Sequence, residues 1–252
     1  MKVYGLIGFP LQHSFSAKFF KKKFQEEGID ATYLNFEIEH IHDLRRIVVF
    51  NPHLRGLNVT IPHKEAVIAF LDQVSPTAKK IGAVNVIKIE RGYGDTYGYK
   101  LKGYNTDYIG FKDSISPLIQ PKIHNRALVL GTGGASKAVC CALNTLCVAW
   151  TYVSRNAREG ALTYNTLTPK ILAENKVIIN TTPLGTFPNI EDFPNIAYKA
   201  LTRQHLLYDL VYNPTESAFL RKGREMGATI KNGAEMLELQ ALAAWDIWTK
   251  DE

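Results

Sequence analysis

The amino-acid sequence predicts an α/β chain of two domains, the first built on a mostly parallel sheet and the second doubly wound. Three observations carry this expectation. Short apolar runs alternate with helical patterns over the first hundred residues; the alternation resumes after residue 104 around a glycine-rich turn. The third is size: 252 residues, 46% of them hydrophobic, suffice for one large core or two modest ones.

Residues 3–8 form the first expected strand, and 15–27 a helix with Phe15, Phe19 and Phe20 on one side and Lys21, Lys22 and Lys23 largely on others. Residues 32–38 are strand-like, 41–48 helical, 54–60 a strand, 63–71 helical and 84–89 a strand ended by Arg91-Gly92. This βαβα rhythm implies a largely parallel sheet. In the second domain 127–130 is a short strand, 135–146 a helix, and 148–153 and 177–179 are further buried strands. Residues 234–250 form a helix apolar on most sides, with Met236, Leu237, Leu239, Leu242, Trp245 and Trp248. Such a helix has to be buried, and it is expected to return to the first domain. The expected domains are therefore 1–103 plus 234–252, and 104–233.

Composition narrows the function. Thirty Lys and Arg against 24 Asp and Glu give a net charge of +6, which raises the question of an anionic partner. The basic residues are spread over many segments with no aromatic-interleaved stripe, so no nucleic-acid partner is expected. Cys140, Cys141 and Cys147 fall in one helical stretch, suit a reducing compartment and read as packing thiols. The histidines are scattered, so no metal is expected. No run of about 18 residues stays apolar and uncharged, and no signal-like cleavage site follows the first apolar run. The expectation is a cytoplasmic protein with no membrane partner, monomeric or homodimeric.

Between a strand and a helix stands Gly131-Thr132-Gly133-Gly134-Ala135, with Ala138 one turn on. Glycines there let the backbone turn tightly and approach a pyrophosphate, whose charge the helix N-terminus stabilises. Ser136 occupies the place where the usual G-x-G-x-x-G/A pattern has glycine or alanine, and a tight turn without ligand is the plainer alternative. The next strand ends in Ser154-Arg155-Asn156 rather than in an acidic residue that would hold the ribose hydroxyls of NAD. Arg155 suits a 2′-phosphate, so the dinucleotide inferred is NADP in a Rossmann-like domain.

In open α/β sheets ligands gather beyond the carboxyl ends of strands. Polar clusters stand there: Gly8-Phe9-Pro10-Leu11-Gln12-His13-Ser14-Phe15-Ser16, Asn58-Val59-Thr60-Ile61-Pro62-His63-Lys64, Gly82-Ala83-Val84-Asn85 and Gly103-Tyr104-Asn105-Thr106-Asp107. Taken singly, Ser14 or Ser16 reads better as a helix cap, Lys64 as an exposed lysine and Asp107 as a cap. Together with G-x-G-G-A, N-x-T-P-x-G at 180–185, D-x-x-Y-x-P at 209–214, Gly233 and Gln240, they occur in one order and resemble the shikimate dehydrogenase family across nearly the whole chain.

The resemblance implies reversible NADPH-dependent reduction of 3-dehydroshikimate to shikimate. By it, Ser14 and Ser16 bind the substrate carboxylate, while Thr60, Asn85, Asp107, Tyr212 and Gln240 meet the ring hydroxyls or line that pocket. Asn58 supports the pocket, and Lys64 exchanges the proton with Asp107 as its partner. Gly131, Thr132, Gly133, Gly134 and Ala135 with Ser154, Arg155 and Asn156 hold NADP, with Leu210 and Gly233 near the nicotinamide. Three positions depart from the family: Thr132 in the loop, Ser154 where Asn is common, and Thr186 where Met usually follows the glycine. The competing readings are an NAD-dependent quinate/shikimate dehydrogenase and a non-catalytic binding paralogue.

Overall fold

The computed structural model describes residues 1–11, 15–92 and 98–250. The chain divides into two units, Met1–Asp107 with Gln240–Glu252, and Tyr108–Leu239.

The first unit runs β1 (Lys2–Gly8), α1 (Phe15–Glu26), β2 (Ala31–Glu37), α2 (Leu44–Phe50), β3 (Leu54–Val59), β4 (Gln73–Val74), α3 (Pro76–Ile81), β5 (Val86–Arg91) and β6 (Tyr99–Tyr104). Its sheet has the order β2-β1-β3-β5-β6-β4. β5 lies antiparallel to both neighbours while the other pairings are parallel, so the sheet is mixed, with β5 reversed. The cause is local. β5 and β6 form a hairpin whose stems close where Gly92 N–H donates to the Gly98 carbonyl at 3.1 Å, both glycines having positive φ. The helix expected over 63–71 is a short 3₁₀ turn, Ala66–Phe70.

One face of this sheet covers a core around Ile7, Leu44, Leu57 and Ile87. A second, aromatic core gathers Tyr4, Phe20 and Phe24 with Ala241, Ala244 and Trp248 from the last helix. Trp248 is 1% exposed, stacks on Tyr4 at 5.0 Å and donates its indole N–H to the Ile87 carbonyl at 3.0 Å. On α1 Lys22 and Lys23 pair with Glu26 and Glu27 one turn on. Lys21 and Lys22 are exposed as expected, whereas the Lys23 side chain is largely covered, its ammonium 5.8 Å from the Trp245 ring centroid.

The second unit contains α4 (Asp107–Ile115, its first residue belonging to the first unit), β7 (Arg126–Leu130), α5 (Gly134–Thr145), β8 (Ala149–Ser154) and β9 (Ala161–Thr163). It continues with α6 (Pro169–Glu174), β10 (Val177–Asn180), β11 (Leu206–Asp209), α7 (Ala218–Glu225), β12 (Thr229–Lys231) and the start of α8 (Ala234–Thr249). Every pairing in its sheet is parallel, in the order β12-β11-β10-β7-β8-β9. That is the doubly wound arrangement, with its switch point between β7 and β10. β8 and β9 are parallel neighbours joined by residues 155–160 alone, without the crossover helix that such a connection usually carries. Among the described residues no helix is long and apolar enough to cross a membrane, and no His, Cys, Asp and Glu cluster could hold a metal.

Candidate active site

In the first unit the expected residues converge where the strands end. Lys64 follows β3, and its backbone is anchored because Val84 N–H donates to its carbonyl at 2.8 Å. Its ammonium donates to Asp107 Oδ2 at 2.6 Å. The other carboxylate oxygen, Oδ1, accepts from Asn85 Nδ2 at 2.9 Å. Both side chains of the ion pair are largely buried, 18% and 9% exposed, so the charges are held in register by geometry rather than by solvent.

Asn85 is the hub of the cluster. Its backbone is fixed on both sides, N–H to the Tyr104 carbonyl at 3.0 Å and carbonyl accepting from Val59 N–H at 2.8 Å. Its amide nitrogen also lies 3.1 Å from Thr106 Oγ1 and 3.3 Å from Gln240 Oε1, while its oxygen accepts from Thr106 N–H at 2.7 Å. Gln240 is thus a buried amide with partners, not a polar residue on an exposed stripe. Asn58 is buried and donates to the Asn85 carbonyl at 3.5 Å. Thr60 stands just past β3, its N–H donating to the Ile7 carbonyl at 2.9 Å. Ser14 lies outside the described residues. Thr106 was not singled out from sequence, although it lies inside the segment 103–107; its burial and its bonds to Asn85 and Gln240 make it part of the cluster.

In the second unit the glycine loop leaves β7 at the switch point. Gly131 has φ of 105°, and a Cβ there would meet Thr181 Oγ1 at 2.8 Å, so this glycine is required by the fold itself. Gly133 is different: its φ is −80° and a Cβ would meet nothing within 4 Å. The backbone N-terminus of α5 therefore faces open space that a side chain would fill, the form a pyrophosphate cradle needs. Ser136 is fully buried and donates its hydroxyl to the Gly133 carbonyl at 2.7 Å, which accounts for a small polar residue replacing the usual third glycine. Gly131→Ala is expected to lower Tm by several degrees, through roughly 1–3 kcal/mol of strain. Gly133→Ala leaves Tm unchanged yet weakens dinucleotide binding about tenfold; calorimetric unfolding and cofactor titration read the two effects separately.

Ser154 ends β8 beside this loop, and Gly131 N–H donates to the Val153 carbonyl at 2.9 Å. Arg155 and Asn156 are exposed on the following loop, as is Arg158, a second cation that the sequence reading passed over. Leu210 and Gly233 are in contact: a Cβ on Gly233 would lie 2.3 Å from the Leu210 carbonyl oxygen. Tyr212 is 37% exposed and belongs to this unit, on the segment after β11. Thr186 closes the turn after Gly185 by donating its N–H to the Pro183 carbonyl at 3.1 Å.

Behind the loops lies a buried network that sequence did not reveal. Asp209, at the end of β11, accepts from Asn180 Nδ2 at 2.9 Å, from Val211 N–H at 3.0 Å and from the Ser217 hydroxyl at 2.5 Å. Asn180 Oδ1 in turn accepts from Thr182 N–H and hydroxyl, shaping the N-x-T-P-x-G turn. Burial pushes the Asp209 carboxyl up to about 6, against the three hydrogen bonds. An acid raised on folding favours the neutral form in the native state, so its contribution is greatest near pH 4 and is lost as pH rises through about 6. Asp209→Asn is expected to gain on the wild type by up to roughly 3 kcal/mol between those limits. Parallel Tm-against-pH profiles for the two proteins would refute this.

Comparison with known proteins fits the same frame. A family model described as the shikimate dehydrogenase substrate binding domain matches residues 6–87. The shikimate dehydrogenase (NADP(+)) of Halothermothrix orenii is 39% identical, over 98% of this chain and 91% of that protein. The chain belongs to the shikimate dehydrogenase family. Two solved shikimate 5-dehydrogenases superpose with TM-scores of 0.82. The Thermus thermophilus enzyme, in complex with NADP(H) and shikimate, is 28% identical and aligns over 99% of this chain and 94% of its own. The Listeria monocytogenes enzyme, in complex with shikimate and NAD, is 26% identical, over 100% and 93%. For this shikimate dehydrogenase family member, the α/β fold thus agrees with its relatives along nearly the whole chain.

Proposed function

We propose that the protein reduces 3-dehydroshikimate to shikimate with NADPH, reversibly, as a cytoplasmic, monomeric or homodimeric enzyme. The observation that carries this is the Lys64–Asp107 pair locked by Asn85 and Gln240 in one buried cluster. The first unit is the substrate domain, and the second the dinucleotide domain. Ser14 and Ser16 take the substrate carboxylate; Thr60, Asn85, Asp107, Tyr212 and Gln240 take the ring hydroxyls, with Asn58 supporting them.

The dinucleotide supplies the hydride. Lys64 supplies the proton: its ammonium stands on the Asp107 carboxylate and donates to the oxygen that gains charge as the carbonyl is reduced. Asp107 keeps the ammonium aimed, and Asn85 keeps Asp107 from rotating. Gly131 to Ala135 cradle the pyrophosphate, Ser154, Arg155 and Asn156 take the adenosine phosphate, and Leu210 with Gly233 border the nicotinamide. The arginine at the end of β8, with no carboxylate at 154–156, supports NADP over NAD.

Initial rates of shikimate and quinate oxidation, each with NADP and NAD, test the reading. The shikimate–NADP pair is expected to be fastest. Activity confined to quinate with NAD would move the protein to the neighbouring specificity, and silence with all four pairs would make it a binding protein.

A further inference from the structure

Tyr33, on β2, stands behind the pocket residue Asn58. Its ring stacks on Phe20 at 4.9 Å and 11°, and its hydroxyl donates to Asn58 Oδ1 at 2.7 Å. Burial pushes the phenol well above its usual range, so it stays neutral and keeps its proton. The bond to Tyr33 has a consequence for Asn58. A carboxamide whose oxygen is held by a donor must turn its NH₂ the other way. One N–H of Asn58 reaches the Asn85 carbonyl at 3.5 Å, and the second is what Asn58 has to offer a ligand.

We propose that Tyr33 is a positioning residue for substrate selection: it fixes the amide of Asn58 as a donor, so that this side of the pocket selects an oxygen acceptor on the substrate. Without the phenol, the Asn58 amide keeps only the long bond to Asn85 among the described residues, and a half-turn about χ2 would present a carbonyl where a donor is needed. The inference rests on the shikimate reading above.

Tyr33→Phe keeps the ring on Phe20 and removes only the hydroxyl. Shikimate affinity, measured by calorimetric titration and as KM, is expected to weaken about tenfold, with kcat within threefold and the dinucleotide KM unchanged. Asn58→Asp has no N–H to orient, so adding Tyr33→Phe to it is expected to change shikimate affinity by less than twofold. Shikimate binding by Tyr33→Phe within twofold of wild type would overturn the proposal. So would the same fold-loss in both backgrounds, or a parallel loss of dinucleotide affinity and Tm, which marks a merely structural role. A wild-type protein that binds no shikimate would sink the reading itself, and the two failures are told apart by that first titration.

Discussion

Lys64→Ala lowers kcat for shikimate oxidation by about a thousandfold while the shikimate KM stays within a few fold. The size follows from what is removed. Proton transfer by a positioned side chain is worth roughly 10²–10⁴ in rate, and a fixed ammonium on the reacting oxygen acts mainly as charge develops there. The geometry argues that no neighbour substitutes for it: Asp107 has one oxygen on Lys64 and the other on Asn85, and both remaining partners, Thr106 and Gln240, are occupied with Asn85. Removing the lysine also leaves the Asp107 carboxylate without its cation, so some loss of stability accompanies the loss of rate. Lys64→Met keeps the apolar stem but likewise lacks the ammonium, so its kcat should fall as far as that of the alanine variant. A near-normal kcat in both would remove Lys64 from the chemistry.

Arg155→Ala raises the NADP KM about 10–30-fold and leaves kcat/KM with NAD unchanged. A guanidinium–phosphate contact is charge-assisted and worth roughly 1.5–3 kcal/mol, and an exposed position places it at the low end. The NADP KM of the wild type should also rise with ionic strength more steeply than that of the variant, since screening weakens only the contact that exists. Equal losses for both dinucleotides would assign Arg155 to the loop's structure instead. Arg158 is also exposed on the same loop.

The clustering of Lys64, Asn85 and Asp107 was legible because polar side chains and turn residues interrupt apolar runs there. Lys64 and Asp107 follow β3 and β6, Asn85 immediately precedes β5, and the glycine loop follows β7, whereas Asn58 lies within β3 itself. What was hidden depends on partners distant in sequence. Nothing in the alternation of β2 marks Tyr33 as the partner of Asn58, 25 residues away. The Asp209–Asn180–Ser217 network needs two strand ends and a helix start to meet before its burial means anything. In the fold, the reversal of β5 escaped because period-2 patterning marks a strand but not its direction. β9 and β12 are three residues each, too short for any periodicity to show.

The direct return from β8 to β9 shapes the loop that carries Arg155. The segment 155–160 leaves Ser154 and comes back to a strand that pairs Ala161 with Tyr152, so the loop's two ends are clamped side by side by the sheet. The Arg158 carbonyl is held by Ala161 N–H at 3.3 Å, and Gly160 makes the corner with φ of 73°. A short ring closed in this way has already surrendered most of its chain entropy in the free protein. In its proposed role Arg155 would have only its own rotamers left to order, and the selectivity proposed for it should vary little with temperature compared with a clamp carried on a long, loosely tethered segment.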